Sequence, residues 1–255
     1  MTAKIEAAET PAPARPKKQN IHGWIVLDKP VGLTSTRALG QVKWLFNAIK
    51  AGHAGTLDPL AEGILPLAFG EATKTVPFLV DATKSYDFTV RWGGETTTDD
   101  LEGQIVKSNA ARPNSEQILA ALPAFTGTIR QTPPAFSAVK VDGERAYDLA
   151  REGVELDLAA REVTVHRIEL TDQPDADHAR FTMMCGKGTY VRAFARDLGR
   201  KLGCFGHISA LRRTRVGPFG AENAITLEKL QECANTPAAK NALLPISTVL
   251  DDIPA

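Results

Sequence analysis

Two kinds of strand signal occur in this chain, and together they limit what it can fold into. Gly63-Ile64-Leu65-Pro66-Leu67-Ala68-Phe69 is a continuous apolar run, which as a strand must be covered on both faces. Lys84-Ser85-Tyr86-Asp87-Phe88-Thr89-Val90-Arg91-Trp92 alternates with period two, the mark of a strand with one face in the core and one in water. A sheet with unequally covered faces follows, and helices must supply the cover. The strand signal Gly-Trp-Ile-Val-Leu-Asp-Lys ends in the turn Lys29-Pro30-Val31-Gly32. Thr34 or Ser35 can then cap a helix carrying Leu39, Val42, Leu45 and Phe46 on one face. Further helices are expected over 71–80, from Asn114 or Ser115 through Leu122, over about 189–202, and over 225–234. Paired strands are expected over 161–170 and 178–185, with a last strand over 207–216. The pattern is mixed α/β (α+β) with mainly antiparallel neighbours, in one catalytic-sized domain over 21–255. At 255 residues and 43% apolar content, the chain can bury a sizeable core without disulfide or metal staples.

The ends and loops are equally readable. Residues 1–20 are rich in Ala, Pro, Lys and Glu and poor in large apolar side chains, so they read as a disordered tail. Residues 127–153 hold two adjacent prolines and an Asp-Gly turn, the composition of a mobile functional insertion. Cys185, Cys204 and Cys233 are odd in number and widely spaced, which points away from a disulfide framework or a zinc site and toward a reducing cytoplasm. No apolar run approaches the roughly 20 residues of a membrane-spanning helix, and no secretory signal opens the chain.

Charge is balanced overall, 30 basic against 30 acidic residues, but not evenly spread. Between Cys185 and Val216 stand Lys187, Arg192, Arg196, Arg200, Lys201, Arg212, Arg213 and Arg215, opposed within that stretch by Asp197 alone. Arg192, Arg196 and Arg200 share one helical face, opposite Val191, Phe194, Leu198 and Leu202. Such a face is commonly only solvated. The second cluster at 212–215 favours a phosphate-reading surface and makes nucleic acid the leading partner class, with Arg196, Arg200, Arg212 and Arg213 as the expected phosphate contacts.

One motif concentrates chemistry: Gly52-His53-Ala54-Gly55-Thr56-Leu57-Asp58-Pro59-Leu60-Ala61-Glu62-Gly63. Asp58 before a proline can cap a short helix, act as a base, ligate a metal or serve as a nucleophile. Metal binding is less attractive, since His166, His178 and His207 are scattered and no HxxxH-type partner lies close by. A Gly-x-Ser-x-Gly elbow is missing as well. If the site is catalytic, the carboxylate is its reactive group, suited to attack on an electrophilic carbon or to stabilising a cationic sugar centre.

This motif resembles the signature of the TruB-type tRNA pseudouridine synthases. Segments similar to that family's occur in its order along the chain: GWIVLDKPVGLTS, KSYDFTVRWGGETTTDDLEG, QTPPAFSAVKVDGERAYDLAREG, CGKGTYVRAFARDLG and ISALRRTRVGPF. The resemblance implies a pseudouridine-synthase fold and isomerisation of the position-55 uridine in the tRNA T arm, without cofactor or metal. It implies a flipped-out nucleotide, whose lost stacking must be offset by aromatic and phosphate contacts. By the same resemblance Asp58 is the catalytic aspartate, Tyr86 packs on the flipped base and takes part in C5 proton removal, and Arg192 pairs with Asp58 bidentately. His53, Tyr190 and Leu211 are implied to position the uridine, and Lys29 with Pro30 to support the floor of the site. The 127–153 insertion is implied to clasp RNA. Many relatives carry a C-terminal PUA module, which is expected to be missing or cut short here. A monomer is expected, since one basic cleft can envelop one RNA arm. Two alternatives stand beside this reading: a tRNA-binding or tRNA-folding protein of the same fold with little catalysis, and a small-molecule glycosidase, which would want a second acid and no basic face.

Overall fold

The computed structural model describes residues 17–141, 143–154, 156–233 and 241–250. In chain order its elements begin with β1 (Gly23–Lys29), α1 (Ser35–Leu45), β2 (Ala51–His53), β3 (Glu62–Phe69), α2 (Val76–Asp81), β4 (Lys84–Trp92), β5 (Gly94–Thr96) and β6 (Ile105–Ser108). There follow α3 (Ser115–Ala121), β7 (Gly127–Gln131), the small ribbon β8 (Lys140–Val141) and β9 (Glu144–Arg145), and α4 (Ala146–Arg151). The chain continues with β10 (Arg161–Asp175), β11 (His178–Cys185), α5 (Val191–Lys201), β12 (Gly206–Val216), β13 (Ala224–Thr226) and α6 (Leu227–Cys233).

A nine-stranded sheet runs β13-β1-β3-β12-β4-β11-β10-β7, with β2 added on β3. It is mainly antiparallel, as expected; the β1–β13 and β12–β3 pairs are parallel. The two strand signals reflect two environments. In β1, Ile25 and Leu27 join the main core while Trp24 and Val26 pack into a second cluster on the other face with Ile64, Ala68, Val216 and Phe219. A strand covered on both sides needs no polar alternation. In β4, by contrast, Phe88, Val90 and Trp92 enter the core while Asp87 and Arg91 face water. Helix α5 covers that core face, and Phe194 sets its ring edge-on to Phe88 and Phe181 at 5.7 and 5.9 Å.

Thr34 caps α1, accepting a hydrogen bond from the Arg37 amide, and Asn114 caps α3 in a full capping box. The helix expected over 71–80 divides instead into a 3₁₀ turn, Gly70–Lys74, and α2. Pro77 has no N–H to give the Thr73 carbonyl, so the first turn cannot run on into the second. The helix expected from 225 begins at Leu227, because Ala224–Thr226 extends as β13 along β1; residue 234 lies outside the described residues. Of the tail expected over 1–20, residues 1–16 lie outside the described residues. The remainder is tied down: the Gln19 amide donates to Asn47 O at 2.7 Å, and Asn47 Nδ2 donates to Lys17 O at 2.8 Å. The segment read as an insertion over 127–153 starts inside the sheet, since β7 pairs with β10 from Gly127 to Gln131.

One close approach positions the site. At Gly63 (φ +101°) a Cβ would stand 2.2 Å from the Arg213 carbonyl oxygen of the parallel neighbour β12. Backbone strain and overlap therefore act together, and Gly63→Ala is expected to destabilise the fold by roughly 3 kcal/mol or more in urea unfolding. An unchanged midpoint would show that β3 and β12 can separate freely.

Candidate active site

The Gly52–Gly63 motif spans β2, an irregular loop and the start of β3. Asp58 caps no helix; its carbonyl accepts a hydrogen bond from Ala61 N at 3.1 Å in a turn. The loop is fixed from two sides. Ser35, buried in the first turn of α1, donates its hydroxyl to Leu57 O at 3.0 Å and accepts from Leu57 N at 2.8 Å. Gly32 N donates to Pro59 O at 2.7 Å. The backbone on both sides of Asp58 is thus held by the segment 32–35. From beneath, the buried Arg213 donates to Ile64 O, Gly55 O and Thr56 O at 2.8, 3.3 and 3.4 Å.

Arg192 reaches Asp58 from α5, 134 positions along the chain. Its Nε donates to Asp58 Oδ2 at 2.8 Å, while Nη1 donates to Thr98 O at 2.9 Å and Nη2 to Phe136 O at 2.8 Å. The expected bidentate pair is therefore corrected to a single charge-assisted hydrogen bond, because the other two nitrogens are spent on backbone carbonyls. Among the described residues Oδ1 of Asp58 has no hydrogen-bond donor. The Asp58 side chain is 37% exposed and that of Arg192 only 6%, so a buried cation presents a half-open carboxylate. Asp100, buried, stands 3.8 Å from the same Nε.

Tyr86 lies on β4 opposite Arg213 of β12. Burial pushes its phenol above the ordinary range, the Arg213 guanidinium works against that shift, and Asp58 adds to it. Tyr190 precedes α5, and its backbone N and O are both engaged by the buried Gln131 side chain, at 2.8 and 3.1 Å. Burial raises the Tyr190 phenol too, with Ser137 opposing, and the charges of Arg192 and Asp58 act on it. His53 ends β2, half-buried, opposite Leu67. Leu211 is packed beside Phe88 and lines, with Val31 and Leu60, a cleft of about 580 Å³ that Asp58 does not line. The structure thus gathers Asp58, Arg192, Tyr86 and Tyr190, with Leu211 at the margin.

The Lys29 side chain is withdrawn from solvent. It is fully buried and donates to Pro30 O and Leu33 O at 2.9 and 2.7 Å, holding the turn that carries Gly32 and Ser35. Burial lowers its pKa to about 8, against the attraction of Asp58.

The arginine cluster is the larger correction. Arg196 is buried and donates to Asp99, Asp197 and Thr132 O; Arg213 is buried on the loop carbonyls. Arg200 grips Glu95 with two bonds of 2.6 Å, and Arg212 pairs with Asp28 at 2.8 Å and Glu62 at 3.4 Å. Arg196 and Arg213 are thus withdrawn from the surface, whereas Arg200 and Arg212 are paired with acids but stay partly exposed. Their acids come from segments far off in sequence. The run Thr96-Thr97-Thr98-Asp99-Asp100 carried the only advance sign, two adjacent acids in a turn. Asp99 sits at φ +61° and is pushed up to about 6 by burial despite Arg196. Ser35, Gln131 and the carbonyls of Thr98 and Phe136 gave no sequence signal, because they act through backbone geometry.

A family model described as the TruB family pseudouridylate synthase N-terminal domain matches residues 43–191, and one for the tRNA pseudouridylate synthase B C-terminal domain matches 192–251. The chain belongs to the TruB family. It is 58% identical over 246 residues to tRNA pseudouridine synthase B of Bradyrhizobium diazoefficiens, covering 94% of this chain and 71% of that one. It is likewise 58% identical over 241 residues to the Caulobacter vibrioides protein of the same name, covering 94% and 78%. Among solved structures, a Cbf5-Nop10-Gar1 complex superposes with a TM-score of 0.70 at 30% identity, covering 90% of this chain; the chain spans 62% of that one. The second family model supplies α5 and β12, so the TruB site is built across both matched regions.

Two outcomes test this construction. Ser35→Ala should lower kcat roughly ten- to a hundredfold while leaving RNA affinity near wild type, because a loosened Leu57 displaces the Asp58 carboxylate without touching the rest of the surface. Equal losses in binding and turnover would instead mark Ser35 as a plain fold residue. For Lys29, the unfolded amine holds its proton up to about 10.5 and the folded one only to about 8. The unfolded chain therefore binds more protons above pH 8, and stability should rise with pH there. The window closes near 9, where Cys185 and Cys204, pushed up to about 11 by burial, begin to act in the opposite sense. Urea midpoints across this window should climb in the wild type and climb less in Lys29→Met.

Proposed function

We propose that this chain isomerises uridine to pseudouridine at position 55 in the T loop of tRNA, with Asp58 as the reactive carboxylate. The observation that carries the reading is the 2.8 Å Arg192–Asp58 bond, which engages one oxygen of a carboxylate whose side chain remains 37% exposed. The similarity to proteins named tRNA pseudouridine synthase B supports the substrate class.

The reaction breaks the N1–C1′ bond, turns the base, and forms a C5–C1′ bond. The C5 hydrogen leaves as a proton and N1, freed from C1′, gains one, so the balance needs no redox partner. Asp58 Oδ1 meets the nucleotide, and Arg192 fixes the direction of that oxygen through Oδ2. Tyr86, its phenol kept protonated by burial, packs on the extruded base beside Arg213 and serves at the C5 step. Tyr190 and Leu211 bound the base, and His53 positions the nucleotide from the other end of the loop. The segment 127–153 closes over the RNA, anchored at its start by Arg192 on Phe136 O and Arg196 on Thr132 O. Among the described residues no helix is long and apolar enough to cross a membrane. We place the work in the cytoplasm, by a monomer acting on one RNA arm.

Asp58→Asn keeps the shape of the side chain and removes its nucleophilic charge. Incubated with unmodified T-arm stem-loop RNA carrying C5-tritiated uridine, the wild type should release tritium and the variant should not, by at least roughly a thousandfold, while both bind the RNA alike. Wild-type turnover in Asp58→Asn would assign the chemistry to another group.

A further inference from the structure

Arg196, Arg200, Arg212 and Arg215 are paired with acids and Arg213 is buried on loop carbonyls, but a second group of cations lies elsewhere. From Lys29 to Leu57 the sequence contains no Asp or Glu. Within that stretch Arg37 and Lys50 are exposed and Lys43 half-exposed, and the Lys17–Asn47 hydrogen bond brings exposed Lys17 and Lys18 to the same end of α1. Among the described residues none of these five cations is in an ion pair. Glu71, whose carboxylate feels the charge of Lys50, is itself held by Lys74 at 2.5 Å.

On the same helix as Arg37 and Lys43, Trp44 has 79% of its surface exposed, and Ile49 just past the helix is 51% exposed. Trp24 and Trp92 are buried, as an indole in a core usually is. Arg37, Gly40, Gln41 and Trp44 form one stripe along α1, lining a cleft of about 660 Å³ shared with Leu33, Leu45 and Gln231 of α6. Glu228 and Glu232 flank Gln231 on α6 without an ion pair to Arg37 or Lys43. A flat apolar ring framed by unpaired cations complements one chemistry well: a polyanion that also carries π faces. The surface is also placed to serve the site. Ser35, which clamps the Asp58 loop, is the first residue of the same helix, and Trp44 lies on the order of 14 Å further along its axis.

We propose that the outer face of α1 is an RNA-binding surface. On this surface Arg37, Lys43, Lys50, Lys17 and Lys18 follow the phosphodiester backbone of the tRNA beyond the reacting loop, and Trp44 carries a nucleoside face. This inference rests on the tRNA reading above. It gives to α1 the phosphate-holding role that the fold withdraws from Arg196 and Arg213.

The test uses the full chain, unmodified full-length tRNA, and binding measured at several salt concentrations. Arg37→Glu/Lys43→Glu should weaken binding more than tenfold and flatten the dependence of log affinity on log salt. Trp44→Ala should weaken it by roughly five- to a hundredfold. In the wild type, tRNA should shield the exposed indole from acrylamide quenching. Arg167→Glu, a matched charge reversal on exposed β10, should bind as wild type does. Thermal melts confirm that the exposed substitutions leave the fold intact. If the wild type binds and modifies tRNA while the α1 variants keep its affinity, salt slope and quenching, the surface has been misassigned and the function stands. If the wild type does not bind tRNA at all, both fall.

Discussion

One guanidinium group holds the centre of this molecule together. Arg192 is buried beneath a half-open carboxylate, and its three nitrogens reach three segments that share no sequence neighbourhood: the loop after β2 through Asp58, the turn after β5 through Thr98 O, and the start of the 127–153 segment through Phe136 O. Burying such a cation is unfavourable unless its donors find partners, and here each of the three nitrogens donates a hydrogen bond. The arrangement therefore exists only when all three segments are in place. A planar fork with donors at fixed angles does this; an ammonium group in the same position would not.

The same device recurs around it. Arg213 holds Gly55, Thr56 and Ile64 by their carbonyls, and Arg196 joins Asp99 to Thr132 O. Arginine in this fold is largely an internal fastener of loops, with Ser35, Gln131 and Lys29 doing comparable work at shorter range. Loops that carry function have few side-chain contacts of their own, so their geometry must be imposed from rigid elements. In this chain α1, α5 and β12 impose it. The loop holding Asp58 can then stay open to a macromolecule and still be precise in its backbone.

Much of the architecture was legible beforehand because its causes are local. The continuous apolar run of β3 and the period-two pattern of β4 each declared how many faces would be covered, and Thr34 and Asn114 marked their helix starts. What failed did so for nameable reasons. Pro77 split a helix whose apolar content looked continuous. Ala224–Thr226 became a strand because the edge of β1 was there to pair with, a fact no window of sequence contains. Gly127–Gln131, read as part of a loop, gained its regularity from β10 in the same way.

By itself the sequence determined the alternation of strands and helices, a candidate carboxylate in a glycine-framed loop, and the family resemblance that tied it to Tyr86 and Arg192. These rest on residue types and short spacings. It misjudged charge, because a run of arginines is basic only until its partners are known. Glu95, Asp99, Asp28 and Glu62 arrive from distant segments to pair with Arg200, Arg196 and Arg212. Only the tertiary structure could decide which cations stay unpaired, since Coulomb energy depends on distance in space and on burial, and neither can be read along a chain.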